Sequence, residues 1–385
     1  MRVRRCTHVV LEPRESVSFD IAALLRGRAA ADSRFEWVAF ASHLDGPVAV
    51  DEAARDLLGS ISARRWSERP QPDPHAATVS ALVECGLLLA DATGHDGMRD
   101  RDETMRDANW WSLTAIAHRH SRWAGVDSVS DMRAQGLDTA TGLRATLGPP
   151  PPSVLPLAGL YQPLPQQGAD AFDQLLANRA TCRNFDQEKP LELPLLAQLL
   201  QRTVMAHAEV RIDPETVFLK KNVPSGGGLH PTETWLLALR VEGLAPGFYH
   251  YHPVQHALLP RPSPAPETLA ELARRMLSGQ EWFADAPALL ILAPRFERSF
   301  WKYRNHAKAY RAVLLDVGHI SQAIYTSATA AGLASFVTAA INEEEVDRAL
   351  GVDGAGQGAV AICGVGWRAA EQVTAEFDPP RHRPG

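Results

Sequence analysis

The segment Gly148–Pro156, G-P-P-P-P-S-V-L-P, constrains the folding of this chain more than any other stretch. Each proline fixes φ and removes an amide donor, so consecutive prolines form a stiff extended spacer that neither a helix nor a central strand can absorb. At 385 residues the chain also exceeds the size at which one hydrophobic core usually stops growing. Together these features predict an N-terminal domain over 1–147, a proline-rich linker over 148–156 and a larger domain over 157–385. A second proline-rich stretch, Arg69–Pro74, is short and reads as a loop inside the first domain.

Composition removes several classes of function. A content of 45% hydrophobic and 22% charged residues suits packed cores rather than disorder. The 39 Lys+Arg against 45 Asp+Glu leave a formal charge of −6, with no basic excess to neutralise phosphates, so no nucleic-acid partner is expected. The most apolar runs, Ala286–Ala293 and Leu87–Ala90, are far shorter than the roughly 20 residues a bilayer demands, so no membrane partner is expected either. Arg2, Arg4 and Arg5 are followed by Glu12, Arg14 and Glu15 before any apolar stretch, which does not read as a signal peptide. Cys6, Cys85, Cys182 and Cys363 lie far apart without a CxxC pair. That spacing argues against a disulfide frame or a structural zinc and for a cytoplasmic protein.

In the first domain, Trp37, Phe40, Ala41 and Leu44 recur at helical spacing, predicting a helix over Phe35–Leu44. Val48–Val50 follows, Asp51 can cap a helix over Glu52–Leu58, Ala76–Cys85 is amphipathic, and Leu87–Leu89 suits a strand. This helix–strand–helix–helix–strand order resembles a winged-helix unit, either a module that binds a peptide along a strand edge or a structural or dimerisation extension. Asn109–Trp123 predicts a further helix, on which His118 and His120 do not share a face. With no third ligand nearby, packing is the favoured reading of that pair and no metal site is assigned.

The larger domain mixes elements without a strict βαβ rhythm. Helices are expected over Pro194–Val204, Glu267–Leu277 and Ala307–Ala331, the last stopped by Gly332, and a short acidic helix over Glu343–Leu350 is expected to be capped by Asn342. Strands are expected over Trp235–Val241, Gly247–Tyr251, Ala288–Ala293 and Gly358–Cys363. No GxGxxG opens a helix, so a Rossmann-type dinucleotide fold is not indicated.

Three constellations carry chemistry. Arg179, Thr181 and Arg183 offer forked cationic donors and a hydroxyl that can converge on one anion, although Arg-x-x-x-Arg alone also suits a solvated helix face. Pro224-Ser225-Gly226-Gly227-Gly228-Leu229-His230-Pro231 gives a loop whose backbone can approach a flat ligand closely, or simply a turn, at the entry to a strand. Lys302 and Tyr303 are adjacent titratable groups; burial would make either a proton acceptor, and in solvent they would be an ordinary lysine beside a packed tyrosine.

In this order, with Pro246–Pro253 (P-G-F-Y-H-Y-H-P), Tyr310-Arg311 and Gly318–Gln322 (G-H-I-S-Q), the three resemble one family: the SagB-type, McbC-like FMN-dependent dehydrogenases of the nitroreductase superfamily, of the peptide-maturation type. The resemblance covers about Ala171–Trp367. It implies an α+β, nitroreductase-like FMN-binding sandwich that forms a homodimer, behind an N-terminal winged-helix-like domain. It further implies that Arg179, Thr181 and Arg183 grip the phosphate and ribityl chain of FMN, and that Pro224, Ser225, Gly226 and Gly227 lie along its ring. Gln322 would border the flavin, Gly364 and Gly366 would sit where the closing strand turns near the phosphate, and Lys302-Tyr303 would abstract a proton. Cys182 fills a variable slot, and His230 stands where many relatives carry an aromatic residue.

The function expected from these residues is oxidation of a modified residue or azoline ring in a ribosomally made precursor peptide, alongside a partner modification enzyme. Two other readings stay open: an NAD(P)H-dependent nitroreductase or quinone reductase, and a flavin-free scaffold that carries a peptide to a cyclase.

Overall fold

The computed structural model describes residues 1–19, 25–27, 31–70, 72–92, 94 and 96–376, so that Gln71 of the Arg69–Pro74 loop lies outside the described residues. Contacts group the chain into two units: Met1–Arg122 with Phe296–Arg311, and Trp123–Arg295 with Ala312–Gly385. The division falls at Arg122, ahead of the proline spacer, which has no helix or strand and whose Val154 and Leu155 are 73% and 70% exposed.

In the first unit β1 (Arg2–Arg5) lies between β5 (Ser67–Glu68) and β6 (Leu88–Ala90). A second sheet has the order β2 (Val9–Phe19), β3 (Ala31–Ala41), β4 (Val48–Val50). Pro13 sits in β2, an edge strand, where a missing amide is tolerated. Helices α1 (Glu52–Ser60), α2 (Ala76–Glu84), α3 (Asp96–Asp107) and α4 (Ser112–His120) complete the N-terminal stretch. Asp51 caps α1 by accepting from Ala54 N at 2.8 Å, as its position predicts. The expected helix over Phe35–Leu44 is corrected: Phe35–Ala41 belongs to β3, paired antiparallel along the whole of β2 from Val9↔Ala41 to Phe19↔Ala31. A short run of aromatic and β-branched residues is ambiguous by periodicity, and a long partner strand decides it. The winged-helix order therefore has a strand in place of its first helix.

The core of this unit gathers Val3, Leu57, Leu58, Val79, Leu82 and Leu88. Within it Arg4 is fully buried and donates to Asp102 at 2.7 Å. Asp102 also accepts from Thr7 N at 2.6 Å and Thr7 Oγ1 at 2.9 Å, so the buried carboxylate is well satisfied.

The second unit begins with α5 (Ser128–Ala134), α6 (Ala140–Leu147) and α7 (Ala171–Asn178), then the short β7 (Leu191–Glu192) and α8 (Leu193–Thr203). A hairpin of β8 (Ala206–Arg211) and β9 (Val217–Lys221) precedes the main sheet. That sheet is built from β10 (Thr232–Ala238), β12 (Gly247–His252), β13 (Ala257–Pro260), β14 (Ala288–Pro294), β15 (Ala334–Thr338) and β16 (Ala361–Gly366). Its spatial order is β13-β12-β10-β14-β16-β15, and every pairing is antiparallel. The short β11 (Val241–Glu242) pairs with β7 outside it.

Alternation along the strands sorts side chains into two cores. Trp235, Leu237 and Ile291 face the layer formed by α9 (Pro266–Met276), α10 (Glu281–Ala284) and α13 (Glu343–Leu350). Leu236, Ala238 and Leu290 face α8 and the long helix α12 (Ala309–Ala330), through Leu196, Leu199, Val317, Ile320 and Ile324. Between β14 and α12 the chain forms α11 (Phe296–Lys302), which belongs to the first unit. The fold is therefore a mixed α+β sandwich, and among the described residues no helix is long and apolar enough to cross a membrane.

Asn342 departs from its expected role. Its side chain does not cap α13; instead Nδ2 donates to Val126 O at 2.9 Å and Arg275 O at 2.6 Å, and Oδ1 accepts from Val126 N at 2.9 Å. At 1% exposure it ties the Trp123–Ser128 stretch to this layer.

Candidate active site

Helix α12 carries an acid on its buried face. Val313, Asp316, Val317 and Ile320 are all 5% exposed or less, and Asp316 takes a position otherwise held by apolar residues. Its carboxylate accepts from Ser225 Oγ at 2.5 Å and from Gly226 N at 2.9 Å. Ser225 Oγ in turn accepts from His230 N at 2.9 Å, closing the Gly-rich loop on itself. The loop makes a 3-10 turn at Gly226–Gly228, in which Gly227 and Gly228 have φ of 66° and 70°, a region that disfavours a Cβ.

Nine residues further along α12, roughly 13 Å at the rise of a helix, Tyr325 organises the second constellation. Its hydroxyl lies 2.9 Å from Thr181 Oγ1 and accepts from Val337 N at 3.0 Å, while the Arg179 guanidinium carbon sits 5.2 Å from its ring centroid. Thr181 also bridges to Ser335 of β15, and Cys182 N donates to Ser335 O at 3.0 Å, which anchors the Arg-Ala-Thr-Cys-Arg turn on the sheet. Cys182 is buried and burial pushes its thiol upward, so it packs rather than reacts. Gln322 lies on α12 between these two anchor points, exposed, its amide reaching Thr326 Oγ1 at 3.3 Å.

Arg183 lines a cavity of about 940 Å³ together with Trp123, Gln280, Trp282, Ala340 and Glu376. The indole N–H of Trp282 is buried and has no acceptor among the described residues. A guanidinium, an amide and an orphaned N–H around an aromatic-walled space suit a flat ligand with acceptor edges and an anionic end. The C-terminal segment closes one wall. Asn184 Oδ1 accepts from Val373 N and Thr374 N, both at 2.8 Å, and Nδ2 donates to Thr374 O and Glu376 Oε1, both at 2.8 Å. The Glu376 carboxylate also accepts from Arg183 N and pairs with Arg368.

Gly364 and Gly366 are buried within β16. A Cβ on Gly364 would stand 2.0 Å from the Phe336 ring, and one on Gly366 would stand 2.3 Å from Pro287, so close sheet packing explains both glycines. Lys302 and Tyr303 belong to the first unit, where Lys302 Nζ lies 5.5 Å from the Tyr303 ring centroid and the lysine side chain is exposed. The His118–His120 pair takes separate partners: His118 stacks on Trp110, and His120 Nε2 lies 3.1 Å from Ala41 O. Tyr325, Trp282, Asn184, Glu376 and Asp316 are not among the site residues expected from sequence.

A family model described as "Nitroreductase family" matches residues 176–367. The trifolitoxin-processing protein TfxB of Rhizobium leguminosarum bv. trifolii is 30% identical over 313 residues, which cover 73% of this chain and 77% of TfxB. The microcin B17-processing protein McbC of Escherichia coli is 29% identical over 176 residues, 44% of this chain and 60% of McbC. Among solved structures, a chain of the E. coli microcin synthetase McbBCD complex with truncated pro-MccB17 bound superposes with a TM-score of 0.50. That superposition has 21% identity and covers 69% of this chain and 92% of that one.

Proposed function

Because the chain belongs to the nitroreductase family, we propose that it is an FMN-dependent dehydrogenase that removes two hydrogens from a modified residue or azoline ring of a ribosomally made peptide. The observation that carries the reading is the similarity to TfxB. It extends over 313 residues, well beyond the 176–367 stretch shared with the family as a whole, and TfxB is by name a trifolitoxin-processing protein.

The residues fit the cofactor. Arg179, Thr181 and Arg183 would hold its phosphate and ribityl chain, and the Pro224–Gly227 loop, fixed by Asp316, would lie along its ring with Gln322 at the border. When bound, FMN supplies the hydride acceptor. The protein's own share is position and proton handling. Trp282 N–H offers a donor that a ligand edge can satisfy in the cavity lined by Trp123 and Trp282. Lys302 Nζ or the Tyr303 hydroxyl would take the proton from carbon. Gly364 and Gly366 act through packing near this turn.

The N-terminal region, 1–147, handles the peptide, the 157–385 region binds the flavin, and a second enzyme installs the modification beforehand. Leu314 and Leu315, 41% and 58% exposed on α12, support a homodimer through that helix. The four cysteines are free thiols, which fits a cytoplasmic location.

The test is purification with a flavin chromophore, followed by incubation with the partner-modified peptide and mass spectrometry. Loss of two hydrogens with bleaching of the flavin is expected. A colourless protein that takes up no FMN sinks the reading, and peptide binding without mass loss points to a scaffold. The family match also favours a reductase as the second reading. Bleaching by NAD(P)H in stopped flow, with no peptide oxidation, would establish it.

A further inference from the structure

The Lys302–Tyr303 pair is carried by a segment held at three points in the first unit. At its start, Phe296 and Phe300, four residues apart on one face of α11, pack with centroids 4.8 Å and 4.7 Å from Trp110, which is 0% exposed. In its middle, Asn305 N donates to Asn109 O at 2.9 Å, and both asparagines are left-handed, with φ of 51° and 60°. At its end, the Tyr310 ring lies 5.4 Å from Trp110 and its hydroxyl 3.0 Å from His118 Nδ1. His118 is itself stacked on Trp110 at 4.8 Å and meets Phe296 edge-on at 4.8 Å. Between Phe300 and Asn305 the segment leaves the box: Trp301 is 54% exposed, and the backbone turns through Tyr303 N to Ser299 O and His306 N to Tyr303 O.

A fold that needed only to join β14 to α12 has no use for such an arrangement, since a short loop would serve. What the clamp fixes is the position of the two titratable groups between its anchor points. We propose that Trp110, His118 and Tyr310 are positioning residues for Lys302–Tyr303, so that the unit holding residues 1–122 of the proposed peptide-handling region also presents the proton acceptor. This rests on the reading of that pair given above. Substrate engagement and base placement then belong to one body of the protein, and a peptide held by the first unit meets its base in fixed register.

The variant that tests it is Tyr310→Phe, which keeps the ring in the box and removes only the hydroxyl that meets His118. The full-length, flavin-loaded protein is compared with wild type in single-turnover oxidation of the modified peptide and in amide hydrogen exchange. A displaced base costs turnover rather than binding, so kcat is expected to fall about tenfold with KM for the peptide unchanged. Exchange at residues 302–308 is expected to rise several-fold while the melting temperature and flavin content hold. A double variant, Tyr310→Phe with His118→Phe, restores an apolar pair and is expected to regain part of kcat and of the exchange protection. Wild-type kcat in Tyr310→Phe, or unchanged exchange at 302–308, overturns the proposal and leaves the functional reading intact. A wild type that oxidises no peptide overturns both.

Discussion

Ser225 Oγ donates to the buried carboxylate of Asp316 at 2.5 Å, joining the Gly-rich loop to the long helix 91 positions later in the chain. The adjacent Gly226 amide donates to the same carboxylate, so removing it strands two donors at once. Asp316→Ala is therefore expected to lower stability by about 2–3 kcal/mol, seen as a lower denaturant midpoint at unchanged slope. Flavin retention should weaken further, because the loop loses the anchor that sets its register. Asp316→Asn, which keeps one acceptor oxygen, should fall between. Equal flavin affinity in all three proteins would mean that the loop needs no anchor.

The proton-handling role proposed for Lys302 and Tyr303 can be divided by substitution. Lys302→Ala removes an exposed side chain, so its stability cost should stay within about 0.5 kcal/mol. Turnover is expected to drop by roughly 10²–10⁴-fold with flavin content preserved. Tyr303→Phe should cost less if the lysine is the acceptor and more if the tyrosine is. Full activity in Lys302→Ala would remove the lysine from the mechanism.

What could be read from the sequence follows from how local each signal is. The Asp51 cap, α2, the limits of α12 and the strands β12 and β14 rest on neighbouring residues, and the structure places all of them close to the expected bounds. Phe35–Ala41 misleads because its strand character comes from β2, a partner that no local window contains. Asn342 looks like a helix cap in sequence, yet its amide is used by Val126, 216 positions earlier. In the site, the Arg-Thr-Arg turn and the Gly-rich loop were legible as motifs, but the residues that hold them were not. Tyr325 and Asn184 act on segments 144 and up to 192 positions away. Asp316 alone left a local signal, a carboxylate at a core position of an amphipathic helix.

Acid should unfold the first unit before the second. His8 and His43 are buried there, and burial pushes both imidazoles below their ordinary value of 6.5. Asp102 pulls each upward without overcoming that effect, while Arg106 acts further downward on His8, and Arg101 and Arg4 on His43. In the unfolded chain both take up protons near 6.5 and in the folded unit only at lower pH, so the unfolded state binds more protons in between. The stability that comes from holding them neutral is complete above 6.5 and declines as pH falls below it. Hydrogen exchange at about pH 5 should report loss of protection in β1, α1 and α3 while the β10–β14 ladder stays protected. His43→Gln should shift that loss to lower pH; an unshifted profile would assign the acid sensitivity to other groups.

Asn184 fastens the C-terminal segment through four hydrogen bonds to Val373, Thr374 and Glu376, at 4% exposure. Thr374, Ala375 and Glu376 form a wall of the cavity that Arg183 lines, so the fastening and the ligand space share one boundary. Asn184→Ala leaves the amides of Val373 and Thr374 and the Glu376 carboxylate short of partners, and the segment is expected to open locally rather than unfold the sheet behind it. A loss of about 1.4 kcal/mol in local stability is a tenfold rise in the open population. Trypsin cleavage after Arg368, whose side chain pairs with Glu376 in the closed form, should accelerate by at least that factor. Flavin release should quicken in parallel, while the global melting temperature moves little. Asn184→Asp keeps the acceptor for Val373 and Thr374 but sets two carboxylates against each other at Glu376, so it should open the segment nearly as far. Cleavage and flavin release at wild-type rates in both variants would show that this wall stands without Asn184.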